Sequence, residues 1–374
     1  MILRFDQIAR ECRGTFNGNL EGMPIVGLEH IEPYDMLLKN WDVDVETTFT
    51  KEFRKGQIMF GRRRAYQHKA CVATCDGICS GDITLIEPIE GMVYPDLLPF
   101  IVQNDDFFEH AIKGSNGALS PRVKWEHMAN FEVNLPSLAE QKVLAEKLWA
   151  AYEVKQSYLK MIDATEEMVK SQFIEMFGSV DDNPKSYDIK KVGDFAECFA
   201  GATPSTKISS YWDNGNIPWM SSGEVHKVRV QDTDAKITQQ GYDGCSTKMV
   251  PIHSIVIALA GQGKTRGTVA INDIELCTNQ SLCAIVPNEE VNYEYLFHNL
   301  RGRYKELRSM SGDVDGRGGL NLKHIQSIKV IVPPMSEQMK FVSIARQADK
   351  SISELRKSVE AIDKVIKSLI NENL

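Results

Sequence analysis

Phe131-Glu-Val-Asn-Leu-Pro-Ser-Leu-Ala-Glu-Gln141 returns later in the same chain as Ile328-Lys-Val-Ile-Val-Pro-Pro-Met-Ser-Glu-Gln338. The offset is 197 residues, and it holds without a gap from His127 over His324 to Phe177 over Leu374. Self-similarity at a fixed period marks a repeated structural unit. In each copy an apolar run meets proline and then a polar cluster, the pattern of a strand handing over to a helix. The segments in front match more loosely. Pro24-Ile-Val-Gly-Leu-Glu29 resembles Pro218-Trp-Met-Ser-Ser-Gly-Glu224, Gln57–Phe60 resembles Ser254–Ile257, and Ile78-Cys-Ser80 resembles Leu276-Cys-Thr278. The chain is therefore a tandem. Residues 1–136 form a first globular domain and 137–178 a long helix. Residues 187–333 form a second domain and 334–374 a second long helix. The bridge at 179–186 is polar and contains Pro184, as a linker should.

The second helix carries apolar residues at Phe341, Ala345, Ala348, Ile352, Leu355, Val359, Ile362, Ile366 and Leu369. Steps of four and three make the seam of a coiled coil. The first has the same frame at Leu144, Leu148, Ala151, Lys155, Tyr158, Ile162, Thr165, Val169 and Gln172, with polar breaks at Lys155, Thr165 and Gln172. Met161, Met168, Phe173 and Phe177 are expected to widen its apolar face. A lone helix would leave such a stripe in water, so the two pair or take a partner. The repeat favours antiparallel pairing within the chain, with a pseudo-twofold axis. The expected fold is α+β: two similar domains in tandem, separated by two long helices. Each helix of about 37 residues is roughly 55 Å long at 1.5 Å per residue.

The 374 residues exceed one ordinary core, and 43% hydrophobic with 25% charged residues is a globular composition. The start, Met1-Ile-Leu-Arg-Phe-Asp6, lacks a secretory pattern, and no stretch is apolar enough to span a membrane. A cytoplasmic location follows as an expectation. The eight cysteines then read as free thiols. Cys71, Cys75 and Cys79, spaced by four with His68 nearby, invite a metal, but no second ligand pair accompanies them. No metal is expected.

Net charge is −8, which counts mildly against a nucleic-acid binder. Its distribution softens the point, because Lys51–Lys69 holds seven Lys or Arg residues and one acid. Within it, Arg62, Arg63, Arg64, Tyr66, Gln67, His68 and Lys69 follow a strand-like run. Arginine forks suit guanine edges and phosphates, and a glutamine amide suits adenine. The bland alternative is a solvated basic turn. The counterpart in the second half is Gly261-Gln-Gly-Lys-Thr-Arg-Gly267, with Gln262, Lys264 and Arg266 as contact candidates. It imitates a phosphate-binding loop, but Ala258 stands where that motif needs glycine, and Thr268–Ile271 looks like a strand where it needs a helix. Asn279 and Gln280 suit adenine or the closing of a turn. Thr203 and Ser205, flanking Pro204, suit a loop set against a duplex, though a purely structural loop is favoured. Strands are expected near 57–60, 83–86, 131–135, 254–260, 268–271, 281–286 and 328–332, and helices near 97–112 and 293–308. Hydrolase, metalloprotease, dinucleotide-binding and adenine-methyltransferase signatures are missing, so no catalytic residue is expected.

The second half resembles the specificity subunit of type I restriction–modification enzymes. The resemblance rests on Glu197, Gly201-Ala-Thr-Pro-Ser205, Tyr211-Trp212, Ile217-Pro-Trp219 and Glu224. It continues through Thr278-Asn-Gln-Ser281, Leu320-Asn-Leu322, Val332-Pro-Pro334 and Glu337-Gln338. The first half departs from it, lacking the Gly-x-Thr-Pro-Ser pattern and carrying Ser80-Gly-Asp82 in place of Thr278-Asn-Gln280. The resemblance implies two target recognition domains, each docking one half of a bipartite sequence in double-stranded DNA. It implies long helices that set the spacer and hold two modification (methyltransferase) subunits, with restriction/translocase subunits joining them. It also implies that S-adenosylmethionine, ATP and magnesium reside on those partners and no cofactor on this chain. Three alternatives stand beside it: the recognition subunit of a related phage-defence modification system, a fused methyltransferase–nuclease, and a coiled-coil scaffold that never meets DNA. The scaffold predicts that neutralising Arg62, Arg63, Arg64, Lys264 and Arg266 changes nothing.

Overall fold

A computed structural model describes residues 1–115, 121–261, 265–310 and 318–374. The chain divides into two compact units. Unit 1 comprises Met1–Lys160 with Leu355–Leu374, and unit 2 comprises Met161–Glu354. Each unit thus holds one globular domain, part of the helix that leaves it, and part of the other long helix.

Unit 1 is built on a four-stranded antiparallel sheet of β1 (Ala9–Cys12), β2 (Ile58–Gly61), β3 (Ala70–Val72) and β4 (Ile83–Pro88), in the order β1-β4-β2-β3. Unit 2 repeats it with β5 (Ala196–Ala200), β6 (Ile255–Ala258), β7 (Val269–Asn272) and β8 (Leu282–Pro287), in the order β5-β8-β6-β7. Here a fifth strand, Arg229–Val230, adds parallel to β7. The registers agree: Ile58 faces Ile86 in one sheet and Ile255 faces Ile285 in the other. β2 and β6 are fully buried apolar runs, so they sit inside their sheets.

Each unit has a second small sheet with one feature in common. Ile25–Val26 runs parallel to Gly77–Cys79, and Ile217–Met220 runs parallel to Cys277–Thr278. Val26 pairs with Cys79 and Met220 with Thr278. This corrects the sequence match of Ser80 to Thr278 by one residue: Cys79 is the counterpart of Thr278. Strands this short carry too few side chains to fix a register in sequence.

The helical expectation over 97–112 resolves into Leu98–Gln103 and Asp105–Lys113. Asn104 separates them, with extended backbone and a side chain that caps the second helix by accepting from the Asp106 N–H. Arg303 breaks the other segment into Tyr293–Gly302 and Tyr304–Ser309.

The long helices run over Leu138–Phe177 and Met335–Asn373. Seam residues are the covered ones: Leu144, Leu148, Ile162, Val169, Phe341 and Ile352 are buried. Tyr158, Leu355, Val359, Ile362, Ile366 and Leu369 are half-buried. In unit 1, Leu144 and Leu369 line one cleft, while Lys155 donates to Asp363 at 2.6 Å. In unit 2, Phe173 meets Phe341 at 5.1 Å, while Glu166 and Val169 lie beside Asp349 and Ile352. Rising numbers on one helix meet falling numbers on the other, so the segments pair antiparallel in each unit. Lys155, a polar break in the seam, is thus satisfied by charge pairing. Met161 and Met168 do not widen the covered face as expected. They are 52% and 49% exposed, because they lie off the seam on the open side of the helix. No described helix is long and apolar enough to cross a membrane.

Candidate nucleic-acid interface

In unit 1 the basic stretch forms the hairpin between β2 and β3. Its backbone is pinned at several points. Arg62 N–H donates to the Asp82 carbonyl at 2.9 Å, and the Arg62 carbonyl accepts from Val123 at 2.9 Å. Arg64 and His68 adopt the left-handed conformation on either side of a tight turn at Ala65–Gln67. Of these residues Arg64 and Tyr66 are exposed, and Arg62, Arg63, Gln67, His68 and Lys69 are half-buried. The His68 ring stacks on Tyr34 at 4.8 Å and packs on Phe108 at 4.5 Å. Lys69 Nζ donates to the Leu28 carbonyl at 2.7 Å. These two side chains hold the loop rather than extend from it.

Beside the hairpin lies a charged cluster that sequence spacing does not announce. Asp82 accepts from Arg122 Nε at 2.6 Å and Nη2 at 3.3 Å, with Arg63 Nη1 at 3.6 Å. The bonds from Arg122 hold the Asp82 carboxyl below its usual range, against the opposing effect of burial. Arg122 and Asp82 are 40 residues apart, so no local pattern links them.

In unit 2, Gly201-Ala-Thr-Pro-Ser205 lies against the turn after Thr278. A β-carbon at Gly201 would collide with the Thr278 carbonyl, so that position requires glycine. The aromatic residues flanking the loop hold it. Trp219 donates to the Ala202 carbonyl at 3.0 Å, Trp212 to the Ser205 carbonyl at 3.2 Å, and the two rings meet edge to face at 5.1 Å. Thr203 and Ser205 remain exposed. Thr203 Oγ1 donates to Gln280 Oε1 at 2.5 Å, joining two candidates that are 77 residues apart. Asn279 instead closes the turn, with Oδ1 accepting from Ser281 N–H at 3.1 Å. Glu224 is buried and fixes the next loop by accepting from Ser221 N–H, Asp234 N–H and Lys227 Nζ.

Gln262 and Lys264 lie outside the described residues. Arg266 does not present itself at the surface as expected: it is only 4% exposed and its guanidinium bonds to the Gly318 carbonyl. β7 follows this loop at Val269, so no helix stands where a phosphate-binding loop would need one. Burial raises the thiols of Cys71 and Cys79 to about 12, away from the thiolate a metal would need. Among the described residues, no group of three His, Cys, Asp or Glu side chains is arranged to hold a metal.

Residues 184–362 match the family described as the type I restriction modification DNA specificity domain. The second half of the chain is thus a type I restriction–modification DNA specificity domain. A type I restriction enzyme specificity subunit of Escherichia coli is 28% identical over 163 residues, which are 43% of this chain and 40% of that one. The MjaIX specificity subunit of Methanocaldococcus jannaschii is 28% identical over 188 residues, covering 49% and 42%. The chain thus spans about two-fifths of the length of these relatives. The putative MjaX specificity subunit of the same organism is 21% identical, with 94% of this chain and 86% of that one covered. The fold agrees with that of the type I S subunit from M. genitalium, with a TM-score of 0.57 at 14% identity over 99% of this chain and 94% of that one. A chain of another type I system gives a TM-score of 0.55 at 16% identity, covering 100% and 97%. The family resemblance drawn from Glu197 to Gln338 is therefore borne out.

Proposed function

We propose that this chain is the sequence-reading subunit of a type I restriction–modification complex. Each unit reads one half of a bipartite target in double-stranded DNA, and the chain catalyses nothing by itself. The long helices set the spacer and hold two adenine-methyltransferase subunits, which carry S-adenosylmethionine. Restriction and translocation subunits bring ATP and magnesium. The complex works in the cytoplasm, where its DNA is.

The observation that carries this is the duplication itself. Two sheets share strand order and register, yet the loops beside them hold different polar groups: arginines around Asp82 in one, Thr203 and Gln280 in the other. A shared scaffold with unlike exposed groups suits two readers of two different half-sites. The negative net charge fits a subunit that positions base contacts while partners supply much of the phosphate binding.

Mapping of methylated adenines in genomic DNA, with and without the gene for this chain, tests the proposal. Loss of a bipartite set of modified sites supports it. An unchanged set contradicts it.

A further inference from the structure

We propose that the base-specific contact of each unit lies at the turn leading into β4 and β8, directed at guanine through Arg122, which the turn residue Asp82 holds in unit 1, and at adenine through Gln280 of the turn itself in unit 2. This rests on the DNA-reading function proposed above.

The backbone makes the two turns equivalent. Ser80 N–H bonds the Val26 carbonyl and Asn279 N–H the Met220 carbonyl. Arg62 N–H bonds the Asp82 carbonyl and Leu259 N–H the Ser281 carbonyl. Val123 N–H bonds the Arg62 carbonyl and Leu320 N–H the Leu259 carbonyl. Gly81 is therefore the counterpart of Gln280, Asp82 of Ser281, and Arg122 of Gly319.

Where one unit has its polar group, the other has glycine. Neither glycine is required by its backbone, since neither adopts a positive φ. A β-carbon at Gly81 would meet nothing within 4 Å, and one at Gly319 would meet only the Leu259 carbonyl at 3.5 Å. Each unit thus fills one of two nearby positions and leaves the other open.

Each filled position is also braced. Asp82 takes the Nε–H and one Nη2–H of Arg122, leaving three N–H donors, two of them side by side on the outer edge of the fork. That outer pair matches guanine O6 and N7. Thr203 occupies one lone pair of Gln280 Oε1, leaving the other and both amide hydrogens free. Those match adenine N6 and N7. Bracing fixes the rotamer before binding and lowers the ordering cost. Arg122 and Gln280 are both exposed enough to reach a ligand, with the Arg122 side chain 49% accessible. Asp82 and Thr203 are positioning residues.

The test is selection of randomised DNA duplexes by the assembled complex, comparing wild type with Gln280→Ala, Thr203→Val, Thr203→Ser, Arg122→Ala and Asp82→Asn. Gln280→Ala should lower preference for one A·T pair in one half-site by about tenfold, the usual size for a bidentate contact. Thr203→Val should soften the same position, and Thr203→Ser should restore it. Arg122→Ala should relax one G·C pair in the other half-site, with Asp82→Asn weakening the same position. The untouched half-site reports that the complex is folded and assembled. Unchanged preference at every position overturns the inference, as does joint loss in both half-sites. If wild type itself selects no bipartite sequence, the function proposed above fails instead.

Discussion

Gln141 and Gln338, one repeat apart, make the same clasp in their respective units. Each accepts a backbone N–H, from Tyr94 at 2.8 Å and from Asn292 at 2.8 Å. Each donates to the carbonyl of the proline five residues before it, Pro136 at 3.0 Å and Pro333 at 2.8 Å. Gln338 also donates to Glu290 at 2.9 Å. Both are buried, 2% and 0% exposed. The clasp ties the first turn of a long helix to the segment where the domain's own helices begin. It therefore fixes the angle at which domain and helix meet.

Replacing Gln338 by leucine keeps the volume and removes three hydrogen bonds. Buried groups left unpaired cost about 1–3 kcal/mol each. Partial access to water reduces the sum, so a loss on the order of 2–4 kcal/mol is expected. Gln141→Leu should lose less, having one bond fewer. Urea denaturation checks both, and a smaller effect at Gln338 than at Gln141 would contradict the clasp.

His298 gives unit 2 an acid sensitivity. Burial, followed by the nearby Arg301, pushes its imidazole down to about 4. The ring packs against Phe341 at 5.4 Å and Phe297 at 5.1 Å. The folded value lies below the ordinary 6.5, so the neutral ring's contribution is complete above that pH. It is lost as pH falls from 6.5 towards 4. Melting temperatures across that range should drop less steeply for His298→Asn than for wild type. Parallel slopes would contradict this.

Gly201→Ala places a methyl group where the Thr278 carbonyl stands, and backbone cannot yield as a flexible side chain would. The loop must shift, straining the Trp219–Ala202 bond. Overpacking of this kind costs about 1–3 kcal/mol. Denaturation should show that loss, and selection on DNA should show weaker preference in one half-site only. Ser205→Ala, on an exposed side chain of the same loop, should leave stability unchanged.

The repeat was legible because the stretch from His127 to Phe177 and its copy carry the same helix start and the same seam. Heptad spacing identified the covered residues, and Lys155 shows that a polar seam position can be satisfied by a partner. The front halves were harder. Gln280 finds Thr203 and Asp82 finds Arg122 across folded distance, which local spacing does not record. Arg266 read as a surface cation because it stands in a glycine-rich loop, yet its guanidinium is drawn in by the Gly318 carbonyl. Asn104 carries a capping signal between two apolar runs, and it divides 97–112 into two helices where apolar spacing alone predicts one.

Inserting one heptad into each long helix adds about 10 Å at 1.5 Å per residue. At 3.4 Å per base pair, the preferred spacer should lengthen by about three base pairs while both half-site sequences stay the same. Methylation mapping reads this directly. An altered half-site sequence with an unchanged spacer would contradict the role given to the helices.

The most direct measurement is an exchange of residues 187–333 for the corresponding segment of a relative with a known target, followed by mapping of methylated adenines. One half-site should become the donor's, while the other half-site and the spacer persist. If both half-sites change, or neither does, the chain is not a pair of independent readers.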